Sequence, residues 1–152
     1  MKVSICPRRS LLAPCRLEWF DYQVDPYVGC EHYCRYCYAL NQARTDWTRE
    51  IMIDQDIVGQ LRGELEDIDA QMIYLGYYTD PYQPVETEHR LTRKVLELLL
   101  EKGISASILT KSALILRDID VLREMDEASV SVSVAFSDNR VRELFEAKTM
   151  DT

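Results

Sequence analysis

Short apolar runs alternate with stretches of helical periodicity along most of the chain. Apolar runs bounded by polar or turn-forming residues are typical of buried parallel strands. Such runs occur at residues 72–76, 105–109 and 130–136, and a shorter strand is expected at residues 22–25. Apolar residues spaced three or four apart are typical of amphipathic helices. They predict helices over residues 55–68, over a segment that ends at Lys102, and over residues 118–127 and 140–147.

Polar residues and glycine indicate where these helices begin and end. Asp54 is a suitable N-cap for the helix over residues 55–68, because its carboxylate can accept from free backbone N–H groups. Gly103 is expected to end the helix that runs to Lys102, since glycine is favoured just past a helix C-terminus. Asp138 is expected to cap the last helix, and residues 37–44 are also expected to be helical.

The order of these elements predicts an α/β fold with about four parallel strands and flanking helices. Strands that alternate with helices are typical of βαβ units with right-handed crossovers. In such folds the functional loops follow the carboxyl ends of the strands. Four segments do so here: the cysteine-rich loop from residue 29, and residues 77–86, 110–112 and 137–139. We therefore expect these four segments to gather on one rim of the sheet.

Composition and charge narrow the classes of partner and compartment. The net charge of −8 disfavours broad, sequence-blind binding to a phosphate backbone, although a local basic groove stays open. No apolar run approaches the roughly 20 residues of a membrane-spanning helix. The run at residues 11–13 is too short for a signal-peptide core of roughly 7–15 apolar residues. We therefore expect a cytoplasmic protein without a membrane partner.

Three of the five cysteines are bunched at the spacing C-x3-C-x2-C: Cys30, Cys34 and Cys37. An odd, clustered set favours metal binding in a reducing compartment over a disulfide framework. Thiolates bind soft metals and iron–sulfur clusters. Three thiolates hold three irons of a cubane and leave the fourth iron open, as a catalytic site requires. Cys6 and Cys15 lack ligand-like spacing and are interpreted as bystanders.

A structural zinc site is the alternative interpretation of the same cysteines. Zinc prefers four tight ligands, so His32, Cys6 or Cys15 would have to complete the set. Zinc loops usually bring pairs of ligands from two separate places, and no second pair is visible in the sequence. His32 is interpreted as a polar loop residue rather than a ligand.

Three segments together resemble the spore-photoproduct-lyase-like branch of the radical S-adenosylmethionine (radical SAM) superfamily. They are DPYVGCEHYCRYCYA at residues 25–39, TDPYQPVE at residues 79–86 and LTKS at residues 109–112. The cysteine motif is specific for the superfamily, and the other two segments point to the branch. The resemblance runs from about Tyr22 to the end of the chain. One departure is Asp25, where relatives commonly carry Asn.

The resemblance implies a [4Fe–4S] cluster on Cys30, Cys34 and Cys37, with S-adenosylmethionine on its open iron. One electron into the cluster would cleave the cofactor to methionine and a 5′-deoxyadenosyl radical, which would abstract a hydrogen atom from the substrate. The electron would come from a donor such as flavodoxin or ferredoxin. The cofactors carry the difficult chemistry, while the protein supplies binding and orientation.

Four further residues are assigned to the cofactor by motif match alone. Tyr36 would lie against the adenine, and Thr79 would sit near the methionine amino end. Lys111 would pair with the cofactor carboxylate, and Ser133 could hydrogen-bond the ribose or the methionyl part. Purely structural alternatives stay open. A lysine after a strand is often a solvated loop charge, and a serine on a strand often forms a hydrogen bond with the backbone. By the same reasoning, Asp80 and Glu86 are interpreted as a turn former and a first-turn helix acid. The catalytic residues are unknown.

Members of the branch have a partial (β/α) barrel of about six strands, so the chain is interpreted as its truncated, cluster-binding half. Residues 1–20 are expected to form an irregular N-terminal extension, and residues 21–152 an incomplete core domain. Residues 130–136 would then form an apolar edge with unpaired backbone groups. A lyase acting on a DNA photoproduct is the nearest analogy, but nucleic acid is only weakly supported as the substrate. A cluster-binding but catalytically incomplete fragment is the second alternative.

Overall fold

A computed structural model describes residues 1–149 of the protein. The strands are β1 Lys2–Ile5, β2 Leu12–Pro14, β3 Tyr22–Val24, β4 Tyr27–Val28, β5 Glu50–Ile53, β6 Met72–Leu75, β7 Ser105–Thr110 and β8 Ser129–Val132. The α-helices are α1 Ile57–Glu64, α2 Glu86–His89, α3 Leu91–Glu101, α4 Ile119–Arg123 and α5 Asn139–Phe145. Two 3₁₀-helices cover Tyr38–Gln42 and Ala113–Asp118.

A five-stranded sheet in the order β2-β3-β6-β7-β8 forms the centre of the fold. The last four strands in this order are mutually parallel, and β2 is antiparallel to β3 at one edge. Four parallel strands with flanking helices confirm the predicted partial barrel. Leu61 of α1 and Val95 of α3 belong to one buried apolar core with strand residues such as Ile73 and Ile108. Helical periodicity predicts these helix faces because burying each large apolar side chain contributes about 1.5–3 kcal/mol.

A second, three-stranded sheet in the order β1-β5-β4 corrects the prediction for the N-terminal residues. Residues 1–20 are not simply irregular, because β1 pairs in parallel with β5 and β2 pairs with β3. These strands are short and partly exposed, so they lack the apolar runs that predict buried strands. The division into an extension and a core domain stays a prediction.

Helix boundaries differ from the predictions at several places. Helix α1 ends at Glu64 rather than at residue 68, α4 ends at Arg123 rather than at residue 127, and α5 ends at Phe145 rather than at residue 147. The N-cap of α1 is Asp56, whose carboxylate accepts from the Gly59 N–H at 3.0 Å, and not Asp54. Asp54 is buried and forms an ion pair with Arg9 at 3.0 Å, which no local pattern indicates. The long helix is interrupted at Arg90, whose φ of 53° separates α2 from α3. Its predicted end is confirmed, because α3 stops at Glu101.

Strand β8 lies at the edge of the five-stranded sheet opposite β2 among the described residues. Its valines Val130 and Val132 are 44% and 48% exposed, as the sequence predicts for an apolar edge. None of the helices within residues 1–149 is long and apolar enough to cross a membrane.

Candidate metal and cofactor site

A cavity of about 390 Å³ opens where β6 and β7 end and the cysteine loop begins. Every residue predicted to bind metal or cofactor lines it: Cys30, Cys34, Tyr36, Cys37, Thr79, Lys111 and Ser133. His32, Asp80 and several tyrosines complete its wall. Three of the four segments expected on one rim therefore meet here. The fourth, residues 137–139, lies outside the lining among the described residues.

The cysteine loop is compact and holds its thiols away from water. The Cys37 N–H donates to the Cys34 carbonyl at 2.9 Å, which forms a tight turn between the last two cysteines. Cys30 and Cys34 are buried, and Cys37 is half-buried. Burial, with the nearby charge of Asp80, raises the pKa of Cys30 to about 12. Burial, with the charge of Glu146, raises the pKa of Cys34 to about 11. These two thiols are therefore protonated at neutral pH until a metal replaces the protons.

The loop after β6 clamps the start of the cysteine loop through two buried side chains. The Gln83 amide donates to the Gly29 carbonyl at 3.0 Å and accepts from the Glu31 N–H at 2.8 Å. The Glu31 carboxylate in turn accepts from the Val85 N–H at 2.5 Å. Each contact satisfies a polar group that burial would otherwise leave unpaired. Residues 77–86 therefore support the cysteine loop directly.

Asp80 connects three loops of the rim. Its carboxylate accepts from the Thr110 hydroxyl and the Lys111 N–H, each at 2.7 Å, and from the Tyr82 N–H at 2.8 Å. His32 Nδ1 lies 3.3 Å from the same carboxylate. Burial disfavours the ionised carboxylate, yet the contacts with His32, Thr110 and Lys111 lower the pKa of Asp80 overall. The turn-forming role expected of Asp80 is confirmed at Tyr82, but its larger role is to join the loops.

Lys111, Ser133 and Tyr36, which the family pattern assigns to the cofactor, converge at one side of the cavity. The Lys111 ammonium donates to the Ser133 hydroxyl at 2.8 Å and lies 5.7 Å from the centre of the Tyr36 ring. Glu146 Oε1 forms an ion pair with the same ammonium at 2.7 Å. The ammonium has three donors, and its hydrogen bond to Ser133 leaves donors for a further anionic acceptor. Lys111 is therefore not a solvated loop charge.

Thr79 also lines the cavity and is hydrogen-bonded to Asp25. Its N–H donates to Asp25 Oδ1 at 3.0 Å, and its hydroxyl lies 3.3 Å from the Tyr27 carbonyl. The Tyr78 N–H donates to the same carboxylate oxygen at 2.9 Å. Burial raises the pKa of Asp25 above its usual range in spite of these donors. Asp25 therefore fixes the backbone of the loop that follows β6 at the cavity wall.

Glycine makes close backbone approach possible at the end of β6. Gly76 has a φ of +100°, and a Cβ atom there would lie 2.3 Å from the Leu109 carbonyl oxygen. Gly29, directly before Cys30, has a φ of +96°, and its Cβ would lie 2.9 Å from Ile51. Both conformations favour glycine because side chains rarely adopt them.

Several residues that build the site are not identified by sequence reasoning. Gln83 and Glu31 lie in the segments that resemble the family, but their side chains received no role. Glu146 occurs in an ordinary helical stretch and has no local signal. Glu86 is confirmed as a first-turn acid of α2, and it is also fully buried and accepts from the Thr92 N–H at 3.0 Å, which the sequence does not indicate.

The donor set fits an iron–sulfur cluster with one open corner. Three soft sulfur ligands face one cavity, and within residues 1–149 neither Cys6 nor Cys15 lines it. In that same part of the chain, no group of three or more His, Cys, Asp or Glu side chains is arranged to hold a single metal ion. The zinc alternative therefore gains no support from the geometry.

Comparison with known proteins identifies the family. The sequence matches the family model for the radical SAM superfamily over residues 24–151. The chain belongs to the radical SAM superfamily. It is 32% identical over 142 residues to an uncharacterized protein of Mycobacterium tuberculosis, a match that covers 86% of this chain and 42% of that protein. An uncharacterized protein of Methanocaldococcus jannaschii is 28% identical over 125 residues, covering 80% of this chain and 47% of that protein.

Solved structures of spore photoproduct lyase have the same fold. Spore photoproduct lyase complexed with dinucleoside spore photoproduct is similar with a TM-score of 0.70 at 16% identity, covering 98% of this chain and 44% of that one. A mutant of that lyase with bound AdoMet and dinucleoside spore photoproduct has a TM-score of 0.66 at 17% identity, covering 98% and 43%. The chain thus spans less than half the length of these radical SAM relatives.

Proposed function

We propose that this radical SAM chain binds a [4Fe–4S] cluster through Cys30, Cys34 and Cys37 and binds S-adenosylmethionine beside it. The observation that carries the proposal is the convergence of three thiols and the Lys111–Ser133 pair on one cavity. Three thiolates match a cluster with an open corner, and the ammonium offers a charge partner for a carboxylate. The superfamily supports an enzyme, and we propose that this enzyme abstracts hydrogen from its substrate.

When bound, the cluster and S-adenosylmethionine supply one-electron reductive cleavage to methionine and a 5′-deoxyadenosyl radical. The chain's own residues bind and orient the cofactor. Lys111 holds the methionyl carboxylate, and Ser133 is available to the methionyl or ribose oxygens. Tyr36 packs against the adenine, where an aromatic face buries area with little loss of conformational freedom. Thr79 and its backbone would lie near the methionine amino end.

The reaction is further proposed to resemble that of a lyase on a photoproduct-like substrate. The support is similarity in fold to spore photoproduct lyase, whose structure contains a dinucleoside spore photoproduct. The net charge of −8 disfavours general binding to a phosphate backbone, so any contact with nucleic acid would be made at a local site. A low-potential protein such as flavodoxin or ferredoxin is proposed as the electron donor, and the cytoplasm as the compartment.

Anaerobic reconstitution with iron and sulfide tests the proposal. We expect about four irons and four sulfides per chain, and 5′-deoxyadenosine after addition of dithionite and S-adenosylmethionine. Cys34→Ala should abolish the product, whereas Cys15→Ala, outside the cavity, should retain it. Undiminished product from Cys34→Ala contradicts the proposal.

The two alternatives give different results in the same preparation. A cluster without 5′-deoxyadenosine supports a catalytically incomplete fragment. One zinc per chain after aerobic purification, with no absorbance near ~400 nm after reconstitution, supports the structural zinc module.

A further inference from the structure

Glu146 is a buried carboxylate fixed beside the candidate cofactor site. Only 3% of its side chain is exposed, and its Oε1 lies 2.7 Å from the Lys111 ammonium. Its backbone is held independently of the carboxylate. The Glu146 N–H donates to the Arg142 carbonyl at 2.6 Å, and its carbonyl accepts from the Thr149 hydroxyl at 2.9 Å. The carboxylate therefore occupies a defined position, in which it contacts Lys111 and is shielded from solvent.

The segment that carries Glu146 is docked on the cysteine loop. The Arg35 N–H, directly after Cys34, donates to the Phe145 carbonyl at 2.9 Å. The Phe145 ring stacks on Phe136 at 5.4 Å, and Phe136 contacts Tyr36 at 6.3 Å. These contacts bring the end of α5 against the two residues that follow Cys34.

Glu146 places a buried carboxylate next to the cysteine loop. Its neighbour Phe145 accepts a hydrogen bond from the residue after Cys34, and its partner Lys111 lines the same cavity as Cys34. A fixed negative charge that is shielded from water disfavours added electron density on a metal held in that cavity. Asp80 is a less suitable test of this effect, because its carboxylate also joins three loops.

We propose that Glu146 is a positioning residue that lowers the reduction potential of the cluster held by Cys34. The inference rests on the proposed function, since it requires the cluster. Reduction of the [4Fe–4S] cluster from the 2+ to the 1+ state takes one electron from the donor protein and no proton. The Glu146 carboxylate opposes the added negative charge, and Lys111 favours it. The reduced cluster is thereby a stronger reductant toward the sulfonium of S-adenosylmethionine.

The test is an anaerobic redox titration of the reconstituted chain without S-adenosylmethionine, followed by electron paramagnetic resonance of the reduced cluster. Glu146→Gln should shift the midpoint to more positive potential, by on the order of tenfold in the reduction equilibrium, or about 59 mV for one electron. Glu146→Asp keeps the charge and should stay near the wild-type value. Lys111→Met should shift the midpoint in the opposite direction.

Glu143→Gln is the matched control, because Glu143 lies on the same helix with 65% of its side chain exposed. Its midpoint should equal that of the wild type. Equal midpoints for Glu146→Gln and Glu143→Gln overturn the inference. Midpoint shifts of the same sign in Glu146→Gln and Lys111→Met also overturn the inference. An effect of charge must change sign when the removed charge changes sign, whereas a structural disturbance need not.

The outcomes separate this inference from the proposed function. If the wild-type chain takes up no iron, the proposed function fails. If the wild type carries a cluster whose potential does not respond to Glu146, only this inference fails. Should Glu146→Gln not retain the cluster, Lys111→Met decides: a midpoint that is unchanged or more positive overturns the inference.

Discussion

The side-chain amide of Gln83 brackets Cys30. It donates to the carbonyl of the residue before Cys30 at 3.0 Å and accepts from the N–H of the residue after it at 2.8 Å. Gln83 is fully buried, so neither contact is exchanged for water at low cost. The first of the three thiols is therefore positioned by a loop more than one strand and helix away in the sequence.

Replacing Gln83 by Leu should destabilise the fold while nearly preserving side-chain volume. The Gly29 carbonyl and the Glu31 N–H would stay buried without partners, at about 1–3 kcal/mol each. Urea unfolding of the metal-free protein should show a loss of about 2–4 kcal/mol. Gln42→Leu, at an exposed position, is the control and should change stability by less than about 0.5 kcal/mol. Equal effects at the two positions would contradict the bracketing role of Gln83.

Two glycine-to-alanine substitutions should change stability in opposite directions. Gly76→Ala forces a Cβ to within 2.3 Å of the Leu109 carbonyl oxygen at a φ of +100°, so the melting temperature should fall. Gly63→Ala lies within α1 and has no atom within 4 Å of the added Cβ. It should stabilise the protein by about 0.5–1 kcal/mol, because alanine favours helices. Differential scanning calorimetry of both variants checks this. A Gly76→Ala variant as stable as the wild type would mean that the end of β6 is not as close to β7 as described.

Alkylation of the metal-free chain should reveal the protonated state of Cys34. With a pKa of about 11, Cys34 carries little thiolate at pH 8, so iodoacetamide should modify it more than about 100-fold more slowly than in the unfolded chain. The rate should rise about tenfold per pH unit toward pH 11, since the thiolate is the nucleophile. Mass spectrometry of a chelator-treated sample, with guanidinium-unfolded chain as reference, measures it. A rate that levels off near pH 8 would show an unshifted thiol.

Asp80→Asn should destabilise the protein in a pH-dependent manner. The folded-state pKa of Asp80 is lowered below that of the unfolded chain, so its ionised form contributes stability above the unfolded pKa. This contribution is lost as the pH falls through the lower, folded-state pKa. At pH 7 the variant should lose about 3 kcal/mol, because His32 and two loops lose a buried anionic partner.

Urea titrations of wild type and Asp80→Asn from pH 7 toward pH 3 measure that difference. The gap between them should be full at neutral pH and should narrow in acid as the wild-type carboxylate takes up its proton. A gap that is constant across this range would assign the effect to shape rather than to charge.

Sequence patterns predict the parts of the fold that bury apolar surface. The apolar runs at β6 and β7 and the apolar face of α3 can be recognised in the sequence because these side chains pack into the hydrophobic core. The rim is also predictable, since topology sends the ends of parallel strands to one edge. The cysteine spacing then predicts which loop binds metal, and Lys111 and Ser133 line the same cavity as that loop.

Contacts between residues far apart in the sequence could not be predicted. Asp54 and Asp56 are both suitable N-cap residues for α1. Asp54 instead forms an ion pair with Arg9, which is too far away in the sequence for the local pattern to indicate. Gln83 is uncharged and lies between two prolines, which favours a plain turn. Glu146 lies in a stretch whose pattern is satisfied by a surface helix, and its partner Lys111 lies in the loop after β7.

Val24 pairs in the five-stranded sheet and Tyr27 in the three-stranded sheet, with two residues between them. The stretch leading to Cys30 is thus anchored to both sheets before any ion arrives. Ordering a free loop costs about 1–2 kcal/mol per residue, and here that entropy is already lost when the chain folds. The backbone that leads into the cysteine loop is accordingly ordered by folding itself, so under the proposed function, uptake of iron and sulfide would require chiefly that the thiols release their protons.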